Sequence, residues 1–254
     1  MSNLTSLVHF LDTLLKPAVF RDSALNGLQV ESSKQNILKV ATAVDAGLSV
    51  IEKAIQFGAH LLIVHHGLFW GGSYPITGAL AKKIELLLSK GCSLYAAHLP
   101  LDAHLEVGNN AELARYMNLD QVTPYFEHDG QPIGVRASAT PPRKRDDFIE
   151  RGKAMLGALS QPLLLPFGKE LINTVGIVTG SGSSAISACA EAGIDLLITG
   201  EAKQSAYHEA KERKQNVLFL GHYATETFGV RALGTLLKKR FEVEEIFIDE
   251  PTGI

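Results

Sequence analysis

The sequence predicts an α/β fold made of two pseudo-repeated α/β lobes with the functional site between them. Three observations carry that reading. Short, continuously apolar strands alternate with helical periodicities that close on glycine, which implies parallel pairing under a helical cover. Thr42 to Gly67, TAVDAGLSVIEKAIQFGAHLLIVHHG, lies without gaps over Ile177 to Ala202, IVTGSGSSAISACAEAGIDLLITGEA, so that Gly58 meets Gly193 and Leu61-Leu62-Ile63 meets Leu196-Leu197-Ile198. Ser93 to Asp102, SLYAAHLPLD, lies in turn over Val217 to Glu226, VLFLGHYATE, so that His98 meets His222 and Asp102 meets Glu226. The chain therefore reads as an internal duplication, with a first lobe over 1–122 and a second over 123–254 that includes the crossover. The last strand is free to pack back on the first lobe.

Element by element, Leu4, Leu7, Val8, Leu11, Leu14 and Leu15 recur at helical spacing until Pro17 halts them. Ile37 to Val44 is β-rich, and Leu48, Ile51, Ala54 and Ile55 give a helix ending at Gly58. Leu61 to Val64 is a buried strand, Leu80, Ile84, Leu87 and Leu88 mark a helix closing at Gly91, and Ser93 to Ala97 is another strand. From about Asp120 to Asn173 six prolines and the run Arg143-Lys144-Arg145-Asp146-Asp147 mark a crossover, with a strand near Gly134 to Ala137 and a helix from about Arg143 to Leu156. A helix from about Ala224 to Lys239 and a strand from Val243 to Ile248 close the chain.

Composition narrows the function classes. With 46% hydrophobic and 20% charged residues among 254, the chain is neither disordered nor fibrous. Its net charge of -3 supplies no global field for holding nucleic acid, and the basic run reads as a solvated helix start. No apolar run reaches the roughly 18 residues of a membrane span, and the first helix lacks a basic leader, so a cytoplasmic protein is expected. Cys92 and Cys189 lack paired spacing and read as buried, reduced thiols.

The chemistry-bearing residues collect at strand ends, where open α/β sheets bind their ligands. His65-His66 directly follows Leu-Leu-Ile-Val. Consecutive strand residues point to opposite faces, so both imidazoles are expected to converge only if the chain has left the strand there. His222 and Glu226, at spacing i, i+4, share one helical face, and His98 and Asp102 occupy the equivalent place in the first copy. His208 and Glu212 repeat the spacing by accident, in mid-helix. Three imidazoles and two carboxylates, His65, His66, Asp102, His222 and Glu226, exceed one tetrahedral zinc and suit two divalent ions with a bridging carboxylate. Nitrogen and oxygen donors without thiolate favour Zn, Mn, Fe or Ni over Ca or copper(I).

Around this set, His98 reads as orienting Asp102 or carrying a proton, and His104 as a ligand or a plain turn histidine. Asp45 reads as a partner of a ligand histidine or a helix cap. Glu201, at the repeat position of His66, reads as a base or as a carboxylate at a helix N-terminus. Gly180-Ser181-Gly182-Ser183-Ser184 is weighed as an anion-cradling turn against a flexible turn with Ser183 as cap. Trp70 is weighed as a stacking platform for a heterocycle against a packing residue.

Asn26 to Val30 (NGLQV), Leu61 to Trp70 (LLIVHHGLFW), Ala97 to Asp102 (AHLPLD), Thr199 to Ala202 (TGEA) and Gly221 to Glu226 (GHYATE) together resemble the Nif-three-like dinuclear metal protein family. Its bacterial members are often named type-two homologues of GTP cyclohydrolase I. The resemblance spans nearly the whole chain. It implies a two-lobed α/β fold, two divalent metals per subunit held by His65, His66, Asp102, His222 and Glu226, and a toroidal homohexamer whose sites face an internal cavity. This chain has Gly67 where family members commonly carry Pro after the histidine pair, which is expected to loosen that turn, and its short crossover leaves no room for an inserted domain.

The function expected is a metal-dependent hydrolase acting on a small-molecule substrate, a nucleotide or purine-like heterocycle, with Glu201 and His98 as proton carriers. The rival readings are a two-metal phosphoesterase and a non-catalytic hexameric scaffold or regulatory partner. Nucleic-acid and membrane partners are not expected.

Overall fold

The computed structural model describes residues 2–158 and 160–253. In chain order, α1 (Leu4–Leu15), β1 (Gly27–Val30), β2 (Lys39–Asp45), α2 (Leu48–Phe57), β3 (Leu61–His66), α3 (Gly78–Ser89), β4 (Ser93–Ala96) and the short α4 (Leu99–Ala103) form the first half. Then come α5 (Asn109–Tyr116), β5 (Asp120–His128), β6 (Gln131–Lys144), α6 (Arg145–Leu156), β7 (Leu163–Pro166), β8 (Leu171–Val178), α7 (Ile186–Glu191), β9 (Leu196–Thr199), α8 (Gln204–Glu212) and β10 (Asn216–Phe219). The chain closes through α9 (His222–Thr225), α10 (Thr227–Phe241) and β11 (Glu244–Phe247).

These elements form two compact units. The first comprises the chain through Leu101 with Gly229–Glu250, the second Asp102–Phe228 with the chain from Pro251. The division departs from a single cut between 122 and 123. Leu113 and Ala114 of α5 and Met117, which caps it, pack into the core of the second unit, whereas β11 returns to the first and pairs in parallel with β2.

The first unit holds a five-stranded sheet, order β1-β4-β3-β2-β11, parallel except for β1. Both faces of its central strands are buried, which is why they read as continuous apolar runs. Leu62 and Val64 join Ala41, Ala43, Leu94 and Ala96 beneath α2 and α3 in one core cluster. Helix α2 ends where Gly58 adopts φ +83 and returns its N–H to Ala54 and Ile55, a left-handed cap that glycine takes without strain.

The second unit holds a six-stranded sheet, order β5-β6-β8-β9-β10-β7, in which β8, β9 and β10 are parallel and the flanking pairs antiparallel. The crossover read as one strand and one helix is in fact the long hairpin β5–β6, helix α6 and edge strand β7. Asp129 and Gly130, at φ 48 and 79, make its two-residue turn, the residue pair that tolerates positive φ at both positions. Pro124 is tolerated because β5 is an edge strand, and Pro141-Pro142 falls where the β6–β8 register shifts between Ser138 and Arg143. The basic run is not simply solvated. Arg143 stacks over Phe148 at 4.4 Å and donates to Met117 O, and Arg145 donates to Pro166 O and Gly168 O.

The duplication holds at the level of hydrogen-bond register. Val40 pairs with Leu61 as Val175 pairs with Leu196, and Thr42 pairs with Ile63 as Ile177 pairs with Ile198. The third strand needs one correction. Leu61 pairs with Ser93 but Leu196 pairs with Asn216, so the second copy carries one extra residue between its strand and His222. That residue is Gly221 at φ 84, and it restores the alignment of His222 with His98.

His60 ties the first sheet together at the end remote from the histidine pair. Its Nδ1 accepts from the N–H groups of Leu38 (3.0 Å) and Lys39 (3.4 Å), while its own N–H and C=O bond to Lys39 O and Ser93 N. Burial and then Lys34 and Lys39 lower its pKa below 6.5, because only the neutral ring can accept. Its contribution to stability is therefore present above pH 6.5 and lost as pH falls through the lowered folded value. Thermal unfolding followed from about pH 7.5 to about pH 4.5 is expected to show a smaller loss of Tm in His60→Gln than in the wild type.

Candidate functional site

In the first unit the site begins at the carboxyl end of β3. Pairing with β4 stops at Val64, whereas pairing with β2 continues to Asp45 opposite His66. The histidine pair therefore remains in the strand, which corrects the expectation that convergence requires leaving it. The ring centroids still lie 4.6 Å apart, because the release of one strand edge lets fully buried His65 turn its Nδ1 onto Ala97 O at 2.8 Å. His66 Nδ1 lies 2.8 Å from Asp45 Oδ1, and His98 Nδ1 lies 2.9 and 3.0 Å from the two oxygens of Asp22.

A carbonyl or an ionised carboxylate can only accept, so each of these three imidazoles carries a proton on Nδ1, which leaves Nε2 as the one nitrogen with which the neutral ring can offer a lone pair. The ligand atoms of His65, His66 and His98 lie within 4.8 Å of one another. The arrangement is the one metal-binding histidines adopt, with the distal nitrogen fixed by an oxygen acceptor. Burial alone would raise the Asp22 carboxyl, but hydrogen bonds and charge from His98, then bonds from Asn26 and the Ala24 N–H, hold it well below the ordinary carboxylate range.

In the second unit Asp102 is buried, its Oδ1 accepting from Asn109 Nδ2 at 2.8 Å and Thr179 Oγ1 at 3.2 Å. Asn110 braces the same place, donating to Asp102 O and Ile133 O and accepting from the Thr179 N–H. Carboxylate oxygens of Asp102 and Glu226 lie within 4.8 Å of each other. His222 opens the single turn α9 and Glu226 caps it, with Nε2 and Oε2 3.2 Å apart. The helix read as continuous from Ala224 is thus interrupted at Glu226, which turns the carboxylate back towards His222.

The pKa of His222 is pushed up to about 9, first by the Glu226 hydrogen bond, against burial, and then by the charges of Glu226 and Glu201. Glu201 Oε2 lies 3.3 Å from His222 Nδ1. A hydrogen bond from Ser181, opposed by burial and reinforced by His222, keeps the Glu201 carboxyl below its ordinary value. It precedes the Lys203 cap of α8, so it does not serve as a helix-terminal carboxylate.

Asp45 bonds to His66, and Gly47 occupies the cap of α2 instead. His104 is a turn histidine, its Nδ1 accepting from the N–H groups of Glu106 and Val107. In the glycine-serine turn Ser183 does not serve as a cap, and two N–H groups are already committed within the protein. The N–H groups of Gly180 and Gly182 donate to Thr225 and Thr199, and Ser183 Oγ donates to Glu201 O. Gly67 does not loosen its turn. It admits the Gln29 amide, which accepts from Leu68 N at 2.7 Å and donates to Leu25 O at 2.6 Å. Cys92 and Cys189 are buried thiols, Cys92 pushed up to about 12 by burial. His208 lies exposed within α8. Among the described residues no helix is long and apolar enough to cross a membrane.

Sequence reasoning missed Asp22, Asn26, Asn109, Asn110 and Thr179. Only the NGLQV motif pointed to any of them: Asn26 Oδ1 accepts from His98 N at 2.7 Å and its amide donates to Asp22.

Two α/β units with histidines at strand ends, each aimed by a carboxylate or a carbonyl, define a protein whose His, Asp and Glu groups are able to hold metal. The chain belongs to the Duf34/NIF3 (NGG1p interacting factor 3) family, whose model matches residues 2–253. A relative from Archaeoglobus fulgidus, named GTP cyclohydrolase 1 type 2 homolog, is 42% identical over 99% of this chain and 100% of its own. The solved structure of TTHA1606 from Thermus thermophilus is 44% identical with a TM-score of 0.90, covering 99% of this chain and 100% of that one. Protein ybgI, of unknown function, gives a TM-score of 0.91 at 36% identity, with full coverage of both chains.

Gly180 explains why the second unit cannot vary its backbone here. At φ +62, a Cβ would overlap Glu226 Oε1 and sit 3.0 Å from His222 Nε2. Gly180→Ala is expected to cost about 1–2 kcal/mol from left-handed strain alone and to displace Glu226. Urea denaturation and metal content, measured together on the variant, check both parts.

Proposed function

We propose that this protein is a dinuclear metal-dependent hydrolase in which His65, His66, Asp102, His222 and Glu226 hold two divalent ions drawn from Zn, Mn, Fe or Ni. The observation that carries the reading is the set of Nδ1 hydrogen bonds from His65, His66 and His98, which leaves the distal nitrogens of three clustered rings for a metal. Bound divalent ions supply Lewis acidity and lower the pKa of a coordinated water. The chain's own residues do the rest. Glu201, ionised at neutral pH, is the proton acceptor at a carboxylate oxygen. His98, with its Nδ1 proton committed to Asp22, exchanges protons only at Nε2. The names of the relatives support a nucleotide or purine-like heterocycle as substrate. A cytoplasmic homohexamer belongs to the same proposal, and light scattering reports the assembly directly.

A second reading draws on the family's own description as an interacting factor. There the metal-loaded protein is a regulatory partner without turnover.

Elemental analysis is expected to find near two metals per chain, falling in His66→Ala, Asp102→Ala and Glu226→Ala, with hydrolysis of GTP or of one of a panel of phosphoesters lost in parallel. Glu201→Gln is expected to keep its metal and lose about 10²–10⁴ in turnover. Full activity in a metal-depleted variant defeats the dinuclear mechanism. Two metals without turnover on any substrate favour the regulatory reading.

Because His222 is protonated below about pH 9 in the metal-free chain, a cation must displace that proton. Metal affinity is expected to rise about tenfold per pH unit up to that value and then flatten. Calorimetry in two buffers of different ionisation enthalpy, at about pH 7.5, is expected to register close to one proton released from this histidine.

A further inference from the structure

The loop that comes after the histidine pair is tied back to a second segment of the first unit. Leu25 N–H donates to Phe69 O at 3.0 Å, Gly71 N–H donates to Ser23 O at 2.5 Å, and Ala24 bridges Trp70 in antiparallel fashion. Beside this pairing lies a cleft of about 550 Å³ whose walls include Asp22, Ser23, Phe69, Trp70, Ser73 and Tyr74. That volume falls within the range of about 300–1,000 Å³ that small-molecule sites occupy.

Three features specify what the cleft accepts. Its lining contains three aromatic side chains, among them the single tryptophan of the chain. Its one carboxylate does not call for a cation: Asp22 already accepts from His98, Asn26 and the N–H groups of Ala24 and Leu99. A Cβ built on Gly72 meets nothing within 4 Å, so the wall is open at this residue. An aromatic cleft with a satisfied acid and serine hydroxyls suits a neutral, flat ring with polar edges.

The cleft is also coupled to the metal-binding candidates. The Trp70 and His98 rings stand at 73° with centroids 4.9 Å apart, Trp70 lies 5.8 Å from His66, and Asp22 both lines the cleft and orients His98. We propose that the cleft beside Trp70 is a recognition subsite for a planar fused-ring heterocycle of purine size. Assigning that ring to the substrate rests on the metallohydrolase reading, whereas the cleft rests on its own lining.

Intrinsic fluorescence reports this place alone, because Trp70 has no other tryptophan to compete with it. Adenosine and guanosine, titrated into the full-length protein before and after metal removal, are expected to change the emission saturably. Ribose 5-phosphate, which lacks the ring, is expected to leave it unchanged. By calorimetry Trp70→Ala is expected to bind the nucleosides at least about fivefold more weakly. Trp70→Phe is expected to restore most of the affinity, with metal content and thermal midpoint as controls on both variants. A response to ribose 5-phosphate equal to that of the nucleosides, no saturable nucleoside response, or unchanged affinity in Trp70→Ala would each overturn the proposal. Saturable nucleoside binding by a protein that takes up no metal sinks the metallohydrolase reading and leaves the cleft standing. Two metals with no nucleoside response does the reverse.

Discussion

An imidazole offers a metal its lone pair only from the nitrogen that carries no proton, and much of the first unit serves to decide which nitrogen that is. His65 is fixed by a backbone carbonyl, His66 by Asp45 and His98 by Asp22. Each acceptor has a reason to be where it is. Ala97 O comes just after the last residue of β4, Asp45 closes β2 opposite His66, and Asp22 is held by Asn26 and two N–H groups before the first strand begins. Parallel pairing brings these carboxyl ends level, so strand register and proton placement are one constraint. A slip of one residue would exchange the faces of His65 and His66 and separate both from their acceptors.

Duplication supplied the frame and then diverged at the same strand ends. The register of β2 against β3 is repeated by β8 against β9, yet Asp45 has become Gly180 and the histidine pair has become Gly200-Glu201. The second unit uses that loss of side chains. With no Cβ at Gly180 or Gly200, the backbone closes on the turn that carries His222 and Glu226: a Cβ on Gly200 would lie 2.8 Å from His222 Cα and from Gly180 O. His222, equivalent to His98, again has a carboxylate on Nδ1, but it comes from Glu201 on the neighbouring strand end and not from a preceding loop. The same chemical requirement is met from a different element in each copy.

This divergence separates the legible part of the site from the hidden part. Strand ends, the repeat and the His and acid positions are local patterns, and they are visible because periodicity and identity are written in consecutive residues. Of the acceptors only Asp45, which ends its strand, is visible in this way. Asp22 is one acid in an aperiodic loop, and it bonds to a histidine distant in sequence. Thr179 and Asn109 reach Asp102 only after β8 and α5 are packed in one unit. The hairpin was hidden for a different reason: its prolines read as loop, although an edge strand and a shifted register accommodate them. His65-His66 was misread as having to leave the strand because alternation was applied to both edges, while only the β4 edge is released.

The two copies also differ in the loop beyond their central strand, and on the proposed reading that difference gives them different work. After β9 the chain passes through residues 200–203 and enters α8, with room for Glu201 and little else. After β3 it runs through residues 67–77 before α3, long enough to carry Phe69, Trp70 and Tyr74 and to pair with the segment that holds Asp22. A loop of that length costs little extra closure entropy, since the penalty grows only logarithmically. Pairing at Ala24 and Trp70, and the Gln29 amide seated on Gly67, hold it in place. The first unit therefore combines histidine donors with an aromatic wall, whereas the second combines its donors with an ionised glutamate beside a histidine of raised pKa. On the proposed reading, these loop lengths favour recognition by the first copy and proton handling by the second.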